Sequence, residues 1–147
     1  EIMKALIQRV SEASVTVDGR IISSIDKGLL VLLGIHHDDK DEHIDWLTSK
    51  IINLRIFEDN EGKMNLSLND INGEILLVSQ FTLYANCDRG RRPDFIQSAK
   101  PDFANDMYER FAKKLKSIGI PVKLGIFGAD MKVALINDGP VTIMLEK

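Results

Sequence analysis

The sequence predicts a mixed α/β domain in which a large, mostly antiparallel β-sheet carries two main helices on its outside. Its 147 residues, of which 44% are hydrophobic and 28% charged, are suited to one globular core. Eight runs have the apolar and β-branched content of strands, and two longer segments repeat apolar residues with a helical period. We expect a single domain over residues 3–147, with Glu1 and Ile2 a remnant outside it.

The first quarter of the chain has the pattern of antiparallel strands. Strand-like runs cover residues 3–10, 13–17, 20–25 and 28–35. The pair Asp18-Gly19 lies between two of these runs and favours a two-residue hairpin. We therefore expect the sheet to open with a meander of antiparallel strands.

Two segments predict helices. After a polar connector, apolar residues recur on one helical face at Ile44, Leu47, Ile51 and Leu54. A second face follows Pro101 and consists of Ala104, Met107, Tyr108, Phe111, Leu115 and Ile118. Lysines in its last turn and Gly119 after them are typical of a helix C-terminus.

Polar residues interrupt the apolar run at 74–85, which predicts one long strand. Alternation would place Gln80 and Thr82 on one face and Ser79 and Phe81 on the other. A buried glutamine is costly unless its amide finds hydrogen-bond partners. The composition favours a strand with one solvated face, and a functional set of polar groups is the alternative.

The remaining strand-like runs cover residues 122–127, 131–137 and 141–145. Residues 137–141, of sequence NDGPV, join the last two and predict a tight turn in which Pro140 leaves the hairpin. The Gly139-Pro140 bond could be cis or trans, since a minority of such bonds in folded proteins are cis.

The charge distribution limits the classes of partner. A net charge of −3 argues against a protein that coats nucleic acid by bulk attraction, but leaves room for a local basic site. The densest positive cluster consists of Arg89, Arg91 and Arg92. This cluster is either part of a solvated loop or a binding site for phosphate groups.

Several chemistries are disfavoured by spacing. His36, His37 and His43 match no standard ligand pattern, and no glycine-rich phosphate loop or G-x-S-x-G motif occurs, so we expect neither a metal nor a cofactor. Cys87 has no histidine nearby in sequence to activate it as a nucleophile. A single cysteine, no export leader and no membrane-length apolar segment lead us to expect a cytoplasmic protein.

Four segments together resemble the D-aminoacyl-tRNA deacylase family. They are MKALIQRVSEASVTVDG at 3–19, SQFTLYA at 79–85, RGRRPDF at 89–95 and GIFGADMKVALINDGPVTIMLEK at 125–147. The resemblance implies a compact, barrel-like sheet with helices outside, in a homodimer whose active sites lie at the subunit interface. It also implies hydrolysis of the ester that joins a D-amino acid, or glycine, to tRNA.

The resemblance also assigns roles to individual residues. Those expected to line the pocket are Ser79, Gln80, Phe81 and Thr82. Gly139 and Pro140 would form the family's Gly-cisPro element, which reaches into the partner's site and is supported by Arg9. The terminal adenosine would lie at Phe127 and Met131, and the tRNA backbone near Arg89, Arg91 and Arg92. Departures from the family at Asn86, Cys87 and Asp94 affect only the expected tRNA contacts.

The sequence shows no histidine or carboxylate committed to activating Thr82, and a threonine hydroxyl without a base is a weak nucleophile. We therefore expect the free hydroxyl of the terminal ribose to assist the attacking water, with the backbone N–H of Phe81 or Thr82 stabilising the oxyanion. Two alternatives remain open: a non-catalytic nucleic-acid-binding module of the same fold, and a related editing enzyme for a mischarged L-aminoacyl-tRNA.

Overall fold

The computed structural model describes residues 2–147 and confirms the mixed α/β class. Its strands are β1 (Lys4–Val17), β2 (Arg20–Ile25), β3 (Gly28–Gly34), β4 (Phe57–Glu58), β5 (Met64–Leu66), β6 (Glu74–Ser79), β7 (Val122–Leu124) and β8 (Lys132–Glu146). The helices are α1 (Asp41–Asn53), α2 (Pro101–Ser117) and a short 3₁₀ helix (Phe81–Tyr84). Within residues 2–147, no helix has the length and apolar character needed to cross a membrane.

The long strand β1 lies at the centre of the sheet and pairs along both of its edges. β8 runs antiparallel to it along one edge, while β3 and then β2 share the other edge. Asp18 and Gly19 both have positive φ and close the β1–β2 hairpin, as the sequence predicted. The predicted meander is wrong, because β2 continues into β3 along the same edge of β1.

Parallel pairing extends the sheet and curves it. β6 pairs parallel with β3, and β7 pairs parallel with β6. The curvature brings β7 back to β2, where the Ser23 hydroxyl donates a hydrogen bond to the Leu124 carbonyl at 2.6 Å. The expected barrel-like, largely antiparallel sheet is therefore confirmed, with two parallel pairings among its strands.

Strands β3 and β6 are buried on both faces, which explains their unbroken apolar sequences. Leu29 and Ile75 belong to the core between the sheet and the helices, whereas Leu30 and Leu76 belong to the core inside the curved sheet. Helix α2 is fastened to the outer face by the Tyr108 hydroxyl, which donates to the Leu77 carbonyl at 2.6 Å. Both helices begin and end close to the predicted residues.

The predicted hairpin turn at residues 137–141 is wrong. β8 continues through this segment, and both of its halves pair with the same strand, β1. Asn137 faces Val10 and Thr142 faces Gln8, so four residues of β8 lie opposite Arg9 alone. The segment is an enlarged bulge in one strand, and the two runs predicted at 3–10 and 13–17 are likewise one strand.

Ile2 contacts the domain, because its carbonyl accepts a hydrogen bond from the Tyr84 hydroxyl. Met3 is fully buried in the core between the sheet and the helices. Glu1, which the sequence placed with Ile2 outside the fold, lies outside the described residues.

Candidate active site

The polar run after β6 leaves the sheet rather than extending it. The Gln80 N–H still donates to the Leu33 carbonyl at 2.8 Å, and the chain then turns into the 3₁₀ helix Phe81–Tyr84. The predicted single strand over 74–85 is therefore wrong beyond Ser79. Its assignment of side chains to alternate faces does not apply, since a 3₁₀ turn repeats every three residues.

A glycine in β3 allows the 3₁₀ helix to pack closely against the sheet. A Cβ atom at Gly34 would lie 2.8 Å from the Tyr84 ring and 3.3 Å from the Gln80 carbonyl oxygen. The buried Tyr84 hydroxyl shares its single proton between the Ile2 carbonyl and the Gly34 carbonyl, whose oxygen lies 3.1 Å away. The position of Gln80 and its neighbours is thus fixed by backbone contacts with β3.

A cavity of about 650 Å³ opens beside the start of this 3₁₀ helix. Its walls come from the end of β6 with Gln80 and Phe81, from the connection into α2, and from the loop after β7. The volume lies within the range of small-molecule sites, and the walls combine apolar side chains with a few polar groups, as such sites do.

The structure brings together residues that the resemblance selected from distant parts of the sequence. The cavity is lined by Ser79, Gln80, Phe81, Phe127 and Met131, as well as by residues that the sequence did not single out. The exposed Thr82 does not line it. Its hydroxyl instead accepts a hydrogen bond from the side-chain amide of Gln80, two residues before it.

The connection into α2 supplies cavity residues that sequence reasoning missed. Phe95, Ser98 and Lys100 line the wall, and Pro101 begins the helix there. Pro101 at a helix start was the available signal, since it indicated that the N-terminus of α2 follows this connection. The cavity also borders the carboxylate of Asp130, which is exposed and paired with Lys132 at 3.3 Å.

Arg9 and the Gly139-Pro140 corner meet each other, but not the cavity of the same chain. The Gly139-Pro140 peptide bond is cis, and Gly139 has φ of 141°, which disfavours any residue with a side chain. Buried Arg9 donates through Nε to the Asp138 carbonyl at 2.8 Å and through Nη1 to the Ile56 carbonyl at 2.7 Å. Neither Arg9 nor the corner lines the cavity.

The three clustered arginines lie on a loop pinned at its base. Asn86 and Asp94 exchange two backbone hydrogen bonds, of 2.8 and 3.0 Å, which close the segment 86–94. Arg89, Arg91 and Arg92 are all exposed on this segment, which from here on is called the arginine loop. Cys87 on the same loop is a free, exposed thiol. The loop leads directly into Phe95 at the cavity wall.

The histidines are grouped differently from the spacing considered in the sequence. Potential ligand atoms of His36, His37 and Asp38 lie within 4.8 Å of one another, whereas His43 is outside this group. Their atoms already contact one another: the Asp38 N–H donates to His36 Nδ1 at 3.0 Å, and His37 Nδ1 lies 3.1 Å from the Asp38 carboxylate.

A buried carboxyl lies under this segment. Asp39 Oδ2 accepts a hydrogen bond from the His36 N–H at 2.7 Å. Its other oxygen has no hydrogen-bond partner among the described residues and lies 3.4 Å from His43 Nδ1. Burial raises the pKa of Asp39 from 3.8 to about 6.

The chain matches the family described as D-Tyr-tRNA(Tyr) deacylase over residues 6–146. It is 62% identical to a D-aminoacyl-tRNA deacylase of Geotalea daltonii, covering 98% of this chain and 96% of that protein. It is 58% identical to one of Clostridioides difficile, with 98% and 97% covered.

Two solved structures share the fold. One described as the c-Myc DNA Unwinding Element Binding Protein has a TM-score of 0.93 and 46% identity, with 98% of each chain covered. A probable eukaryotic D-amino acid tRNA deacylase has a TM-score of 0.85 over the full length of both chains. At 19% identity, the second shows similarity of fold alone.

Its curated relatives place this chain, with its curved sheet, outer helices and cavity at the end of β6, among the hydrolytic enzymes of the deacylase class. The chain belongs to the D-aminoacyl-tRNA deacylase family, which its four motifs indicated.

Substitution of Asp39 should change how stability depends on pH. The pKa of Asp39 is higher in the folded state than in the unfolded state. The contribution of this carboxyl to the free energy of unfolding is therefore fully present below about pH 4 and is lost as the pH rises through about 6. Urea unfolding of the unmodified protein should therefore show a loss of at most about 3 kcal/mol over this window, which Asp39→Asn removes.

The exposed neighbour Asp38 offers a matched control. A hydrogen bond with His37 holds its pKa below the usual value, so Asp38→Asn should leave the loss of stability between about pH 4 and 7 unchanged. An Asp39→Asn variant with the same pH dependence as the unmodified protein would show that Asp39 does not titrate in this range.

Proposed function

We propose that this chain hydrolyses the ester that joins a D-amino acid to the terminal ribose of tRNA, and leaves L-aminoacyl-tRNA intact. The products are free tRNA and the D-amino acid, and glycine attached to a non-cognate tRNA is also removed. The observation that supports this proposal most directly is the cavity beside Gln80 and Phe81, in a chain that is 62% identical to a D-aminoacyl-tRNA deacylase. The reaction belongs in the cytoplasm, a reducing compartment suited to the free Cys87.

The walls of the cavity suit the end of a charged tRNA. Phe127 and Met131 offer an apolar surface to the terminal adenine, while Ser79 and Gln80 offer polar groups to the ribose and the ester. The enzyme distinguishes D- from L-amino acids by the configuration of the α-carbon. It therefore needs no pocket shaped for a particular substrate side chain. It accordingly accepts D-amino acids with different side chains.

A second copy of the chain would complete the site. The Gly139-Pro140 corner does not line the cavity of its own chain, although Val133 on the same strand does. β8, which carries the corner, pairs with β1 alone, and Ile136 and Met144 on it are exposed. An unpaired, partly apolar edge strand favours association, so we propose a homodimer in which each copy's corner enters its partner's cavity.

Rigid backbone at this corner would distinguish the two mirror forms. The donated corner occupies the space into which the side chain of an L-amino acid would project, and its carbonyls accept hydrogen bonds from the substrate ammonium. A fixed steric clash rejects the wrong form more strongly than added attraction could favour the right one. Glycine passes because it has no side chain to clash.

Hydrolysis is assisted by the substrate itself. Water attacks the ester carbonyl, the C–O bond to the ribose breaks, and the neighbouring ribose hydroxyl relays the proton to the leaving oxygen. The Phe81 and Thr82 N–H groups open a 3₁₀ turn and have no acceptor within it, so either can stabilise the oxyanion. The Gln80 amide, which donates to the Thr82 hydroxyl, has no basic nitrogen to deprotonate it.

The arginine loop would bind the tRNA backbone. Its three exposed guanidinium groups form a positive cluster in a chain of net charge −3, so they provide a local rather than a general attraction for phosphates. Affinity for tRNA should fall with salt, but modestly, since few phosphates are neutralised.

Hydrolysis assays with aminoacylated tRNAs distinguish this function from the two alternatives. Purified protein should release D-tyrosine from tRNA on the order of 100-fold faster than L-tyrosine, and it should also deacylate glycyl-tRNA. The measurement is the loss of acid-precipitable radiolabelled amino acid. Equal rates on both mirror forms, or faster loss of an L-amino acid, would favour the related editing enzyme; binding without ester loss would favour a nucleic-acid-binding module.

Arg9 should affect selectivity more than turnover of the D-substrate. Arg9→Met removes the two donors that hold the Asp138 and Ile56 carbonyls, at a cost of about 1–3 kcal/mol in stability, and it loosens the corner. The ratio of D- to L-tyrosyl-tRNA hydrolysis should fall several-fold, as measured on folded protein. The exposed Arg55→Met is the matched control and should keep the ratio; an unaltered ratio in Arg9→Met contradicts the role of the corner.

Removing hydroxyl groups one at a time tests the catalytic scheme. Thr82→Ala should retain single-turnover hydrolysis within about 10-fold, whereas a substrate with a 2′-deoxy terminal adenosine should lose about 100-fold or more. Asp130→Asn, which neutralises the carboxylate at the cavity, should have little effect. The opposite pattern, in which Thr82→Ala abolishes the reaction and the deoxy substrate reacts normally, would exclude assistance by the substrate.

A further inference from the structure

Two phenylalanines at the mouth of the cavity pack against each other rather than into the protein. The ring centroids of Phe81 and Phe95 lie 5.0 Å apart with their planes inclined at 72°, an edge-to-face pair. Both line the cavity, and neither belongs to the two hydrophobic cores or to the side chains packed against them. Phe81 remains 55% exposed despite the contact.

Nothing in the packing of one chain accounts for this pair. The buried aromatic residues Phe57, Phe111 and Tyr108 lie in the core between the sheet and the helices. The exposed ring of Phe81 leaves apolar surface in water, which costs about 25 cal/mol for each Å². A ligand with a flat aromatic face would cover that surface.

The charge beside the pair indicates the class of ligand. Phe95 directly follows the arginine loop in the chain, so the segment that carries three exposed guanidinium groups ends at a residue of the aromatic pair. Aromatic platforms beside a basic groove are the means by which proteins bind single-stranded nucleic acid without reading its sequence.

The geometry points to a nucleobase-stacking subsite at Phe81 and Phe95, which takes the nucleotide preceding the terminal adenosine while its phosphates face the arginine loop. This inference rests on the proposed function, because a terminal adenosine inside the cavity must leave its chain through the mouth. The base stacks on the exposed ring of Phe81, and Phe95 holds that ring in place from the side. Stacking of this kind accepts any base.

Substrates with and without the preceding nucleotide test the subsite. Phe95→Leu keeps an apolar side chain but removes the ring. The value of kcat/KM on D-tyrosyl-tRNA should fall roughly 5- to 150-fold, mainly through KM, and this loss should exceed the loss on 3′-O-D-tyrosyl-adenosine, which has no preceding nucleotide. Phe95→Trp should restore most of the loss on tRNA. Phe103→Leu, an exposed phenylalanine that does not line the cavity, should change neither substrate.

Inhibition provides a second readout that does not require turnover of the small substrate. The dinucleotide cytidylyl-adenosine should inhibit the unmodified protein more strongly than adenosine does, and Phe95→Leu should abolish that difference. Equal losses on both substrates, or an undiminished preference for the dinucleotide, would make Phe95 only a wall of the cavity. Failure of the unmodified protein to hydrolyse any D-aminoacyl-tRNA would instead overturn the proposed function.

Discussion

One constraint governs the architecture: β8 brings four residues to a place where β1 offers only Arg9. The ladder between the two strands resumes on either side, so the extra residues cannot pair and leave the sheet as the Gly139-Pro140 corner. Arg9 is buried at this irregularity in the pairing and donates a hydrogen bond to the Asp138 carbonyl. The residue that marks the break in pairing therefore also fixes the shape of the corner that results.

The parts of the fold that the sequence predicted are those set by neighbouring residues. Both helices follow from apolar periodicity, and the β1–β2 hairpin follows from Asp18-Gly19. The bulge in β8 was missed because NDGP has the composition of a tight turn, and only its pairing with β1 shows that the chain does not reverse. The residues after Ser79 have high strand propensity, which predicts that the strand continues. In the structure, contacts with Gly34 and Leu33 override that propensity and the chain leaves the sheet.

The candidate site was predictable to the extent that its residues occur in recognisable motifs. Ser79, Gln80, Phe81, Phe127 and Met131 do converge on one cavity, although nearly fifty positions separate the two groups in sequence. For the wall formed by Phe95, Ser98 and Lys100, the sequence offers only the indirect signal of Pro101, which marks the start of the helix but not the residues before it that face the cavity. Their importance comes from where the parallel β3–β6 pair and the N-terminus of α2 bring them together.

The free edge of β8 bears on how the protein avoids aggregation. A long row of unpaired backbone groups would template the growth of fibrils. The corner divides that row into the stretches 132–137 and 142–146, and charged side chains at Lys132 and Glu146 stand at its two ends. An interrupted edge with charged residues at its ends opposes open-ended strand addition, so this strand is a poor template for fibril growth.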